Sequence, residues 1–135
     1  MDIRKFAVEE TSELALLDAA DKPLVDDTGA PVVVTLYGPG SRAYAAAQAA
    51  QQNRMIDKLK SKGKSTQTAE EKAREQAEFL AACTASFSPN LEYDGLAGAA
   101  LYKAVYADTS IGFIAEQVGK FLGDWANFSK GSPTS

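Results

Sequence analysis

The residues of this chain able to do chemistry are few, and their spacing decides against most of the chemistry they could support. Carboxylate pairs stand at Glu9-Glu10, Asp26-Asp27 and Glu70-Glu71, the type that supplies general acid and base when two environments push their pKa values apart. All three fall in polar turns or at an expected helix start, where neighbouring acids stay solvated or are favoured by the helix dipole. Asp21, Asp26 and Asp27 in "DAADKPLVDDTG" have the composition of a calcium loop but not its D-x-[DN]-x-[DN]-G spacing. Gly63-Lys64-Ser65-Thr66 matches the end of a phosphate-binding loop. Lys58 occupies the place of its first glycine, however, and no strand precedes it. The chain has no histidine, which removes the commonest general base, the Ser-His and Cys-His nucleophile pairs and the commonest metal ligand. The single cysteine, Cys83, cannot build a zinc site alone. It lies in a stretch expected to be helical, where a free thiol behaves as a small buried hydrophobe. These patterns predict no enzyme, no metal site and no cofactor.

The elements that must position any other function follow from periodicity. The 135 residues suffice for one domain with a real core, expected over 1–130, with 1–40 β-rich, 41–128 helical and 131–135 a disordered tail. The runs Leu14–Leu17 and Val32–Tyr37 flank a polar middle whose Asp21-Lys22-Pro23 and Asp27-Thr28-Gly29 are turn chemistry. Val32, Val33, Val34 and Thr35 are β-branched and resist a helix by crowding at χ1. With a short strand around Ile3–Val8, this predicts an antiparallel sheet of two to four strands, with no internal repeat. "YGPG" ends the strand, and Ser41 is placed to cap a helix running from Arg42 to about Ser61. Gly63 stops that helix and "SKGKSTQ" is a solvated connector. Thr68 and Glu71 form a capping box for a second helix to about Ala85, with Ala73, Ala77, Leu80 and Phe87 as apolar positions. The first two helices are expected to be antiparallel because their connection is short. Asp94-Gly95 precedes a helix over Leu96–Tyr106, and Asp108 or Thr109 caps a last one. The class is α+β, a small N-terminal antiparallel hairpin or sheet followed by about four helices.

Charge narrows the partners. The net charge is −4 and the pI about 4.8, against nucleic acid as the main partner, since phosphate binding needs a concentrated basic surface. The local exception is Arg54 to Lys64, five bases against Asp57, which reads as a solvated connector. Residues 1–27 are the reverse, with eight acids against three bases. No apolar run is long enough for a membrane span, and the start lacks the apolar core of a signal peptide. A cytoplasmic location is expected, in keeping with one cysteine.

The most patterned stretch is "IGFIAEQVGKFLGDWANF" (residues 111–128). As one helix it carries Ile111, Ile114, Val118, Phe121, Leu122, Trp125 and Phe128 on one stripe, with a shoulder of Gly112, Ala115, Gly119, Gly123 and Ala126. The stripe is wide for a helix that only sits on a core. The stripe is expected to build the core, and the glycines to admit the preceding helix. The candidate partner-binding residues are Phe113, Gly119, Phe121, Gly123, Trp125 and Phe128, with Tyr93, Tyr102 and Tyr106 adding nearby aromatics, because tryptophan and tyrosine anchor interfaces.

Two segments resemble one family. "ELALLDAADKPLVDDTGAPVVVTLYGPGSRAY" (13–44) and "YADTSIGFIAEQVGKFLGDWANF" (106–128) are similar to the opening and closing stretches of the tail assembly chaperones of long-tailed bacteriophages and prophages. The resemblance covers under half of the chain. It implies a non-enzymatic protein of the host cytoplasm that binds the tape-measure protein, keeps its apolar helical segments soluble, helps recruit tail-tube subunits and is absent from the finished virion. Self-association is also implied. The carried-over residues are Phe113, Phe121, Trp125 and Phe128. A structural virion component, such as a head–tail joining or minor tail protein, is the alternative. A nucleic-acid regulator acting through Arg54–Lys64 is a third reading.

Overall fold

A computed structural model describes residues 1–62 and 68–129. The order is a 3-10 turn (Ile3–Phe6), β1 (Thr11–Ala15), β2 (Val33–Tyr37), α1 (Arg42–Lys62), α2 (Ala69–Ala82), β3 (Thr84–Phe87), α3 (Gly98–Ala107), a second 3-10 turn (Thr109–Ile111), α4 (Gly112–Leu122) and a third (Trp125–Phe128). The class is α+β, as the periodicities indicate. The strands form one antiparallel sheet in the order β1-β2-β3. Leu14, Val34, Leu36 and Phe87 turn one face inward, while Glu13, Thr35 and Ser86 lie on the other, the alternation of a sheet with one covered face. The covering helices contribute Leu80, Val105, Val118, Phe121 and Leu122 to the same buried cluster. The connector at 63–67, with its Gly-Lys-Ser-Thr, and the tail at 130–135 lie outside the described residues.

Three expectations are corrected here. The Ile3–Val8 strand is a 3-10 turn, because the Asp2 carboxylate accepts from the Arg4 amide at 3.0 Å and closes the chain locally. The third strand comes instead from the end of the second expected helix. α2 stops at Ala82, Cys83 is its C-cap, and Phe87 is a strand residue. Thr84 ends the helix by donating its hydroxyl to the Leu80 carbonyl at 2.8 Å. That hydroxyl has one proton, so the buried Tyr106 hydroxyl, 2.7 Å away, donates to it.

The third correction is an internal repeat. Leu16–Leu24 and Leu24–Val32 are two consecutive loops of one construction. Each starts with an aspartate (Asp18, Asp26) whose Oδ1 accepts backbone amides two and four residues on. Each turns through a positive φ, Asp21 at 61° and Gly29 at 86°. Each returns through a proline bridged to the outgoing arm, Leu17 with Pro23 and Val25 with Pro31. The arms close a ring of backbone hydrogen bonds, Leu16 N to Val32 O, Leu24 N to Leu16 O and Val32 N to Leu24 O, each 2.9–3.0 Å. The two units share Leu, an aliphatic residue, Asp and Pro at an eight-residue spacing, Leu16-Leu17-Asp18 to Pro23 and Leu24-Val25-Asp26 to Pro31, a period too short to stand out among turn residues.

Asp26 also accepts from the Thr28 hydroxyl at 2.6 Å and from Asn90 Nδ2 at 3.1 Å, tying the second loop to the end of β3. The Thr28 hydroxyl, then Asn90 and the backbone amides, hold its carboxyl well below the usual carboxylate range. A depressed folded pKa contributes stability that is complete above the unfolded value of about 3.9 and lost as pH falls through the folded one. Between about pH 4 and the acid limit, the urea midpoint of the wild type is therefore expected to fall more steeply than that of Asp26→Asn. Parallel curves would contradict this role for Asp26.

α1 starts as expected, the Tyr44 amide donating to Ser41 Oγ at 3.1 Å, and α2 starts with the Glu71 amide on Thr68 Oγ1 at 3.1 Å. The pairings across the two helices run antiparallel. Arg54 Nε lies 2.9 Å from Glu78 and 3.0 Å from Glu75, and Lys58 Nζ lies 3.1 Å from Glu75 and 3.8 Å from Glu71. Among the described residues of α1, Ala47 joins the buried cluster and Tyr44 packs against it, edge to face with Phe79 at 5.5 Å between ring centroids.

Candidate partner-binding surface

The stretch 111–128 is not one helix. α4 ends at Leu122, Gly123 is its C-cap, and Asp124 takes an extended conformation (φ −117°, ψ 108°) whose carboxylate caps the Ala126 amide of the following 3-10 turn. Glycine's low helix propensity and the aspartate's preference for a cap act together at this break. Beyond Leu122 the helical wheel no longer describes which side chains share a face.

The six candidate residues consequently separate. Phe121 and Phe128 are core residues, packed edge to face with centroids 5.3 Å apart, and Phe121 shows only its rim, at the floor of a groove beside β1. Phe113 is half-buried against the core. The glycines do not admit a neighbouring helix. A Cβ at Gly119 would touch nothing within 4 Å, and one at Gly123 would meet only carbonyls of α4 at 3.6 Å. The tyrosines are structural too: Tyr106 is buried, Tyr102 donates to the Ala85 carbonyl at 3.2 Å and Tyr93 to Asp108 at 2.7 Å.

Of the four aromatic candidates only Trp125 is exposed, at 57%; Gly123 is exposed too but brings no side chain. Its turn is fixed from several sides. Asn127 donates to the Phe121 carbonyl at 3.0 Å, and the Phe128 carbonyl accepts from the Glu9 amide at 2.7 Å. The Phe128 ring lies against Gly38 so closely that a Cβ there would overlap it. The Trp125 ring reaches over Gly40, where an added Cβ would be 3.6 Å from the indole and 2.7 Å from Val8. Two residues before Val8 the chain exposes Phe6, and before that Ile3. A rigidly held indole with apolar neighbours has large contact area and little side-chain entropy to lose on binding.

A second apolar surface went unrecognised in the sequence. Met55, Ile56 and Leu59 of α1 are each nearly half exposed. Met55 and Leu59 are four apart and share a face, which the surrounding lysines Lys58 and Lys60 mask in the sequence. The basic character of that segment is partly neutralised. Arg54 and Lys58 are bound to glutamates of α2, which weakens the basis for a nucleic-acid surface.

Among the described residues no three of the metal-ligating side chains gather. Cys83 is fully buried, and burial pushes its thiol up to about 12. A thiol reagent at pH about 8 is expected to leave the native protein unmodified and to titrate one thiol after denaturation; rapid modification of the native protein would contradict the packing around Cys83. Comparison with known proteins supplies no relative for this surface: no family model, no curated protein and no solved structure matches the chain.

Proposed function

We propose that this chain is a non-enzymatic tail assembly chaperone that binds the tape-measure protein of a long-tailed phage or prophage and promotes assembly of the tail tube in the host cytoplasm. The observation that carries this reading is Trp125, an exposed indole on a turn anchored by buried Phe128 and flanked by Val8. The resemblance of residues 13–44 and 106–128 to that family supports it, and the family's task requires such a surface, one that covers an apolar helix face of a client. The exposed face of Met55, Ile56 and Leu59 is a second contact for a long client or for a tube subunit.

The experiment is co-expression with the tape-measure protein, followed by size-exclusion chromatography and by analysis of purified particles. A complex that elutes as one species, with this chain missing from the particles, is the expected result. A stoichiometric presence in particles without a soluble complex would replace the proposal with a structural virion component.

A further inference from the structure

The geometry points to a second binding mode, independent of the assembly role proposed above: the outer edge of β1 accepts an extended, basic peptide segment of another protein as a fourth strand. The hydrogen-bond phase of β1 is fixed at both ends. Leu16 donates to the Val32 carbonyl at 3.0 Å and Gly38 donates to the Glu10 carbonyl at 2.8 Å, so the even-numbered residues of β1 face β2. The amides and carbonyls of the odd-numbered residues then point away from the sheet.

At the two ends of this outer edge the chain supplies its own partners. The Phe128 carbonyl takes the Glu9 amide at 2.7 Å. The Gln117 side chain acts as a short mimic of a neighbouring strand, accepting from the Leu17 amide and donating to the Leu17 carbonyl, both at 2.7 Å. Between these clamps no side chain or backbone group among the described residues pairs with the outward groups of Thr11, Glu13 and Ala15. Beside them lies a groove of about 340 Å³ lined by Leu14, Ala15, Leu17, Gln117, Lys120 and Phe121, predominantly apolar. A guest of about five residues, near 17 Å, fits between the clamps. Backbone pairing would supply affinity and the groove would select alternate side chains.

Charge decides the occupant. Glu13 is exposed at the middle of the edge, on the sheet face away from the core, and Glu9 and Glu10 precede it. A second copy pairing antiparallel about the middle of this edge would set Glu13 directly opposite Glu13, and like charges in that position repel. A guest with Lys or Arg opposite Glu13 and apolar residues on either side places the former on the outer face and the latter in the groove. Among the described residues Glu13 makes no ion pair, with Lys120 or any other cation.

The probe is the capped palindromic peptide Thr-Val-Arg-Val-Thr, titrated into the isotopically labelled full chain and followed by amide shifts and hydrogen exchange. Two controls are the peptide with Glu in place of Arg and the peptide N-methylated at Arg and both Thr. In the free protein the amides of Thr11, Glu13 and Ala15 are expected to exchange much faster than those of Ser12, Leu14 and Leu16. The Arg peptide should shift and protect the first three, and the N-methylated one should not. In Glu13→Arg the preference should reverse, each peptide changing affinity by roughly fivefold. Slow exchange at Thr11, Glu13 and Ala15 in the free protein would show the edge already covered and overturn the proposal. So would absence of binding, binding unaffected by N-methylation, or shifts confined to the Trp125 turn.

Discussion

Phe128→Ala is expected to lower the unfolding free energy by about 3–5 kcal/mol, the range for deleting a buried aromatic ring. Phe128 is 1% exposed and meets Phe121 edge to face. It also fills the space over Gly38, at the end of β2, with its ring. Gly38→Ala attacks the same contact from the other side, since the new methyl would overlap the ring and force it to move, at about 1–3 kcal/mol or more. The two changes share one cause, so their effects should not add. In the Phe128→Ala background the cavity receives the methyl, and Gly38→Ala should become nearly neutral or stabilising. Urea unfolding of the two single variants and the double variant measures this. Simple additivity would mean that Phe128 does not sit on Gly38.

The second large effect falls on binding. Trp125→Ala removes an exposed indole from a turn held by Phe128, Asn127 and the Asp124 cap rather than by the indole itself. Its stability change should stay within about 1 kcal/mol, as for surface positions. Loss of a central aromatic anchor typically weakens a complex by about 2 kcal/mol or more, roughly thirtyfold. A folded Trp125→Ala variant that binds the tape-measure protein at least about thirtyfold more weakly than wild type is therefore expected, read by titration calorimetry against a soluble fragment of the client. Equal affinity would move the client to the Met55, Ile56 and Leu59 face of α1.

The sequence made the elements with strong local signals legible. β-branched Val33–Thr35, the Ser41 cap and the Thr68 cap all formed where their chemistry placed them, and the Glu71 carboxylate meets the Thr68 hydroxyl. The failures came where tertiary contacts overrode local pattern. Thr84–Phe87 could continue a helix by periodicity, but β2 has an open edge that recruits it as a strand. Residues 111–128 hold a helical stripe on paper, yet Gly123 and Asp124 break it and send Phe128 back to Gly38. Gly112 and Gly119 of the shoulder face open space rather than a packed helix, and Gly123 meets only carbonyls of its own helix. The clamp of Gln117 on Leu17 joins residues far apart in the chain and leaves no local trace in the sequence. Of the candidate site, Trp125 was legible because an indole near a helix end is a residue type that anchors interfaces. Its separation from Phe121 and Phe128 was not, because that depends on where the helix stops.

The most direct measurement is the soluble fraction of the tape-measure protein when it is expressed alone, with this chain, and with folded Trp125→Ala. The expected result is a client that is insoluble alone, soluble with the wild-type chain, and largely insoluble with the variant. A client equally soluble in all three would contradict a chaperone that works through Trp125.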